Sequence, residues 1–283
     1  MNISEAGTSE IGELSRAPSV EVGRRSRPVS GRLRRPRLTW GLLPIAILVI
    51  AWEVLPRIPA FPGYGFFPPF SETVREGFRL IQNGVLLENF ASSLVRVLAG
   101  FFAGTAVGIG LGILMGWRAK VKELLHPLIS LFYPIPAIGW IPLLMLWVGI
   151  NDLLPIVVIF ICSFFPVLYT TSSGVKNVDP SYIRVARSLG ASERQVLFTV
   201  VIPLALPSIF TGLRLEAGMA WRVLAAAEMI AIPTGIGALM VKAQSLVRMD
   251  IIIVCLAVLS IMCFLSEKLF TYLERKVLAK WQG

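Results

Sequence analysis

The sequence has almost no histidine and little acid. His126 is the single histidine among 283 residues, so neither a histidine metal cluster nor a histidine-based triad can form within one chain. Asp and Glu number 17 against 27 Lys and Arg, and charged residues make up only 16% of the chain. Cysteine is equally sparse. Cys162, Cys255 and Cys263 all lie inside apolar runs, where they read as small buried hydrophobes and not as a disulfide framework. No Gly-x-x-x-x-Gly-Lys phosphate loop, Gly-x-Ser-x-Gly elbow or His-Glu-x-x-His pair occurs anywhere. Covalent catalysis is therefore not expected, and no cofactor or metal is called for.

What the chain has in excess is apolar sequence. Hydrophobic residues make up 55% of it, and the mean hydropathy is +0.73. That composition implies an all-α, multi-pass membrane protein. The net charge of +10 does not indicate nucleic acid, because the basic residues sit at the ends and between apolar runs. They cluster in the N-terminal tail and at 118–122, 176–194 and 274–280. Six spans with both termini in the cytoplasm place all four clusters on one side. Residues 1–39 are polar, with a basic run from Arg24 to Arg37, and read as a disordered cytoplasmic tail able to touch anionic lipid. No small-x-small site follows the first apolar run, so a signal peptide is not expected. The membrane domain then occupies 40–283.

The expected spans are Trp40–Leu55, Glu88–Met115, Leu124–Val148, Leu153–Ser173, Ser208–Ile230 and Ile251–Tyr272. In the second, Gly100, Gly104, Gly108, Gly112 and Gly116 recur every four residues, and Ser92 and Arg96 continue the track. That spacing keeps small residues on one face and predicts a close helix–helix seam, within the subunit or between two copies. The third span contains YPIPAIGWIP. Its Pro134 and Pro136, beside Trp140, remove helical donors in mid-membrane, as in a plain kink or where the backbone faces a wet cavity. The fifth carries Arg214, Glu216, Arg222 and Glu228, an unusual charge load for a membrane helix. Arg222 and Glu228 lie about 120° apart around that helix, so each needs a partner on another span, in a second copy or in water. Both, together with Pro134, Pro136 and Trp140, are candidates for lining a solute path.

One polar stretch, VDPSYIRVARSLGASERQVLFTVVIPLALPSI over Val178–Ile209, stands between two strongly apolar runs. Asp179 can cap a helix that starts at Pro180. Tyr182, Val185, Ala186 and Leu189 then form an apolar stripe. Gly190 is placed for a left-handed turn, and Ser192 with Gln195 makes a capping box for a second helix that Pro203 and Pro207 punctuate. By pattern alone this is a helix–elbow–helix on the membrane surface, equally compatible with an ordinary solvated loop.

The residues go further, because the stretch resembles the cytoplasmic EAA loop of ABC importer permeases. That motif reads Glu-Ala-Ala, three residues, Gly, nine residues, Ile-x-Leu-Pro. Arg184-Val185-Ala186, Gly190 and Val200-Val201-Ile202-Pro203 occupy those positions with every spacing kept, and Arg184 replaces the acid. From about Trp40 onward, ASSLVRVLAGF, LISLFYPIPAIGWIPLLMLWVGI, GLRLEAGMAW and AAEMI are similar to the nitrate, sulfonate, taurine and bicarbonate subgroup of these permeases. The resemblance implies a MetI-like permease core in the cell inner membrane, with a coupling loop at about 178–208. It assigns Tyr182, Arg184, Val185, Ala186, Leu189, Gly190, Ala191 and Pro203 to ATPase coupling. It also implies a homodimer, two cytoplasmic ABC ATPase subunits, an extracytoplasmic solute-binding protein and a small anionic solute. Some relatives carry thiamine or pyrimidine precursors. An ion-coupled secondary transporter is a further alternative, although no internal repeat of the kind such folds show is evident.

Overall fold

Hydrophobic runs with few charges leave helix as the only economical backbone state inside a bilayer, and the described residues are mostly helical. The computed structural model describes residues 38–59 and 66–279. Its helices are α1 Leu38–Val54, α2 Phe70–Gln82, α3 Val85–Trp117, α4 Ala119–Phe132, α5 Ile141–Trp147, α6 Leu153–Lys176, α7 Pro180–Ser188, α8 Glu193–Val196, α9 Ile202–Ala231, α10 Ile236–Ser245 and α11 Met249–Ala279. The chain divides into two units, Met1–Ala46 and Ile47–Gly283, and every contact described below lies within the second. Of the predicted N-terminal tail, residues 1–37 lie outside the described ones.

Among the described residues four helices are long and apolar enough to cross a membrane: α3, α6, α11 and the run Glu193–Ala231 that joins α8 to α9. The pair formed by α4 and the segment Ala137–Trp147, which meet at 80°, makes a fifth when counted as one broken span. The apolar helix α1 has 17 residues, about 26 Å, against a hydrocarbon core of ~30 Å. The fold is thus the expected all-helical membrane architecture, with the third span broken.

The glycine track of α3 lies against α6. A Cβ on Gly104 would stand 2.6 Å from the Phe160 carbonyl oxygen, and one on Gly108 2.8 Å from that of Phe164. At Gly112 it would stand 2.8 Å from the Leu168 carbonyl and 2.7 Å from Thr171 Cβ. No larger residue fits, so the seam is internal to the subunit. The opposite face of α6 packs on α9, where Gly174 meets Ser208 and Gly212 meets Thr170. The α3–α6–α9 stack buries Val97, Phe101, Ile159, Ala217, Ala220, Trp221 and Leu224. From the far side α11 closes on α9, and Trp221 Nε1 donates to Ser266 Oγ at 3.0 Å.

In one respect the chain departs from the sequence pattern. Pro203 and Pro207 do not end the second helix of the polar stretch; the helix continues through both into the fifth span. A π-turn over Leu197–Val201 shifts the hydrogen-bond register just before Pro203, so the missing proline donor falls where the ladder is already interrupted.

Candidate functional site

The elbow between α6 and α9 forms as its local signals dictate. Asp179 accepts from the Ser181 backbone N–H at 2.8 Å, and this bond holds its carboxyl below the usual range. Gly190 takes φ +84° with open space where a side chain would point, so glycine serves conformation here and not packing. Ser192 and Gln195 form the reciprocal capping box. Arg187 grips Glu193 across the elbow through two bonds of 2.7 and 3.1 Å. The predicted stripe divides. Of it only Ala186 turns inward, with Ile183 and Ala191 beside it, onto Val175, Val178 and Val196. Tyr182, Val185 and Leu189 remain exposed, at 57%, 60% and 83%, with Arg184 exposed beside them. Pro203 is half-buried at the start of α9.

At the other candidate positions, Pro134 and Pro136 lie exposed in the break that follows α4. Trp140 ends the short 3₁₀ turn after them and packs half-buried on the core formed by Ile141, Leu144 and Val223. Its indole N–H is buried without an acceptor among the described residues.

The charges of α9 go to different environments. Glu228 is sealed, only 1% exposed, and ion-paired to Arg96 of α3 at 2.7 Å. Ser93 Oγ donates to the same carboxylate at 2.8 Å, and the Gly237 backbone N–H donates to it at 3.0 Å. Arg96 also donates to the Thr234 carbonyl and hydroxyl at 2.8 and 2.6 Å. Two further donations reach Asp152, in the turn before α6, at 3.1 and 2.5 Å. The first N–H groups of α10 complete this knot, Gly235 donating to Asn89 Oδ1 and Ile236 to Ser93 Oγ, both at 2.9 Å. Every polar group in it has a partner.

Arg222 is the opposite case. It projects from the exposed side of α9, its side chain 61% accessible, 3.9 Å from Glu267 of α11. Both line a cavity of about 540 Å³ between α9, α10 and α11. The structure therefore separates Arg222 from Glu228 and unites neither with Pro134 or Pro136. Glu216 points toward α6, buried, with Cys162 Sγ donating at 3.6 Å, and Arg214 pairs with Glu274 at 3.3 Å.

Sequence reading missed Asn89, Ser93, Asp152, Thr234 and Glu267. A signal existed for the knot. Asn89, Ser93 and Arg96 share one helix face, and an arginine on a close-packed track needs a buried acid. Glu267 was hidden by its place near the end of the last apolar run.

The comparisons agree with this geometry. The profile of the family described as binding-protein-dependent transport system inner membrane component matches residues 108–279. A putative ABC transporter permease protein of Methanocaldococcus jannaschii is 39% identical over 242 residues, 82% of this chain and 88% of that protein. The taurine transport system permease protein of Escherichia coli is 34% identical over 252 residues, 87% of this chain and 91% of its own. The nitrate import permease protein of Synechocystis is 31% identical over 265 residues, 90% and 94% respectively. Among solved structures, a chain of the inward-facing MetNI methionine ABC transporter superposes with TM-score 0.59 at 19% identity, over 68% of this chain and 95% of that one. That last likeness is one of fold. The chain belongs to the binding-protein-dependent transport system inner membrane component family, as a multi-pass permease subunit of an ABC importer and not an enzyme.

Proposed function

We propose that this subunit carries a small anionic solute, of the class for which its taurine and nitrate relatives are named, and that α7 couples it to an ABC ATPase. The observation that carries the coupling is the exposed row of Tyr182, Val185 and Leu189 on a helix fixed at both ends. These apolar side chains stand among Arg184, Arg187 and Arg194, too polar a setting for lipid depth. An amphipathic helix offering anchors at i, i+3 and i+7 is suited to a groove on a partner. Its inward face packs Ile183 and Ala186 on the α6–α9 end, a contact suited to pass movement of the elbow to the fifth span.

Orientation follows from charge. Arg118, Lys120, Lys122, Lys176, the arginines of the elbow, Arg275 and Lys276 favour the cytoplasm for the α7 end, with both termini there. The solute-binding protein then meets the α10 end. Arg222 supports the reading of a path shared with a second permease copy. A charge left facing lipid at mid-membrane costs roughly 2.5–3.5 kcal/mol, so its exposed face belongs to water or to protein. On this reading Pro134, Pro136 and Trp140 break the third span beside the same path, and Glu228 holds the outer mouth without touching solute.

Leu189→Arg tests the coupling. Membrane insertion is expected to persist while the ATPase no longer copurifies and ATP-driven uptake stops. Copurification at the wild-type level refutes the docking surface.

A further inference from the structure

We infer that the cavity between α9 and α11 binds a ligand bearing both an ammonium and an oxyanion, with Arg222 meeting the anion and Glu267 the ammonium. The inference rests on the reading of span five as solute path and narrows its substrate class from anion to zwitterion.

The two charges are opposite and close, yet not joined. At 3.9 Å they stand outside hydrogen-bond range, and both side chains remain about half accessible. Among the described residues Arg222 donates to Met219 Sδ at 3.3 Å and lies against Cys263, and neither sulfur is a strong acceptor. The Arg96–Glu228 pair, by contrast, closes to 2.7 Å.

Glu267 is also seated by the helix contact itself. A Cβ on Gly218 would collide with its Oε1, so the glycine clears a berth for the carboxylate on the α9 backbone. Cys263 Sγ, one turn before it, contacts the Gly218 carbonyl at 3.5 Å and fixes the two helices in that register. The carboxylate thus lies over Gly218, next to the arginine.

Charge decides the ligand. A plain oxyanion drawn to Arg222 is repelled by the carboxylate a few ångströms away. A molecule with both charges replaces one loose pair by two close, charge-assisted ones. Ser260 adds a hydroxyl to the wall, and Met229, Met240 and Phe264 supply an apolar lining for a short linker. Two sources share this chemistry, an aminosulfonate-like solute and the headgroup of phosphatidylethanolamine.

The test uses the intact permease–ATPase complex in nanodiscs of phosphatidylglycerol. Binding of taurine is compared with that of ethanesulfonate, which keeps the sulfonate and lacks the ammonium. Wild type is expected to hold taurine about tenfold more tightly, the scale of one charge-assisted bond. Glu267→Gln is expected to bring taurine to the level of ethanesulfonate, and Arg222→Gln to weaken both. Gly218→Ala displaces the carboxylate without removing it, so a several-fold fall in preference there guards against misfolding of the glutamine variant. Competition by added phosphatidylethanolamine assigns the site to the headgroup, and its absence assigns it to the solute. Equal affinity for the two probes in wild type, or a preference that survives Glu267→Gln, overturns the inference. Should Arg222→Gln weaken both probes while Glu267→Gln changes neither, the solute path stands and only the zwitterion falls. Should Arg222→Gln leave both unchanged, the path reading falls with it.

Discussion

Two charges six residues apart on α9 have opposite fates. Glu228 is closed into a knot where a guanidinium, a hydroxyl and the start of a helix saturate its carboxylate. Arg222 stands in an open cavity with one loose ionic neighbour, Glu267, and the sulfurs of Met219 and Cys263 beside it. Each is an intramembrane charge, and hydropathy alone treats them alike. Saturation tells them apart. A charge whose hydrogen-bonding capacity is fully met by its own chain holds the fold, and one with unmet capacity is available to something that passes. The Arg96–Glu228 knot joins α3, α9, the turn before α6 and the first turn of α10, all at the end remote from α7.

The largest break in this comparison is expected from Glu228→Gln. It removes the buried counter-charge of Arg96 and leaves only the largely exposed Asp152 carboxylate, a loss of about 3 kcal/mol. Little assembled complex should survive detergent extraction and size-exclusion chromatography. Gly104→Leu comes next, because it fails the fold without touching either charge. Forcing a side chain against the Phe160 carbonyl destabilises by about 1–3 kcal/mol or more. Val107→Leu, on the exposed side of the same helix, should stay within ~0.5 kcal/mol in the same thermal-stability assay. The third contrast is functional. Arg222→Gln is expected to leave assembly and basal ATPase activity intact and to lower uptake about tenfold, one favourable ionic contact. The smallest effect belongs to Asp152→Asn. Its side chain is 77% exposed although it bonds Arg96, so the change should shift melting by less than about 1 kcal/mol.

What was legible in the sequence was local. The Asp179–Pro180 start, the Gly190 elbow and the Ser192–Gln195 capping box each lie within a few residues, and each forms as its pattern requires. The glycine seam was legible because one helix carries its whole signal, though not its partner, α6. The prolines of YPIPAIGWIP marked the break of the third span but not its 80° angle. The knot was not legible, since Arg96 reaches Glu228 across 132 positions and Asp152 across 56. Composition shows that a buried charge needs a partner, and only packing chooses which. Glu267 escaped notice for the same reason: its meaning depends on Gly218 of another helix.

The most direct test of the account measures two quantities on two variants together, yield of assembled permease–ATPase complex and ATP-driven solute uptake, for Glu228→Gln and Arg222→Gln. The account predicts that Glu228→Gln loses assembly and Arg222→Gln loses uptake while assembling normally. Normal assembly of Glu228→Gln, or loss of assembly in Arg222→Gln, would contradict it.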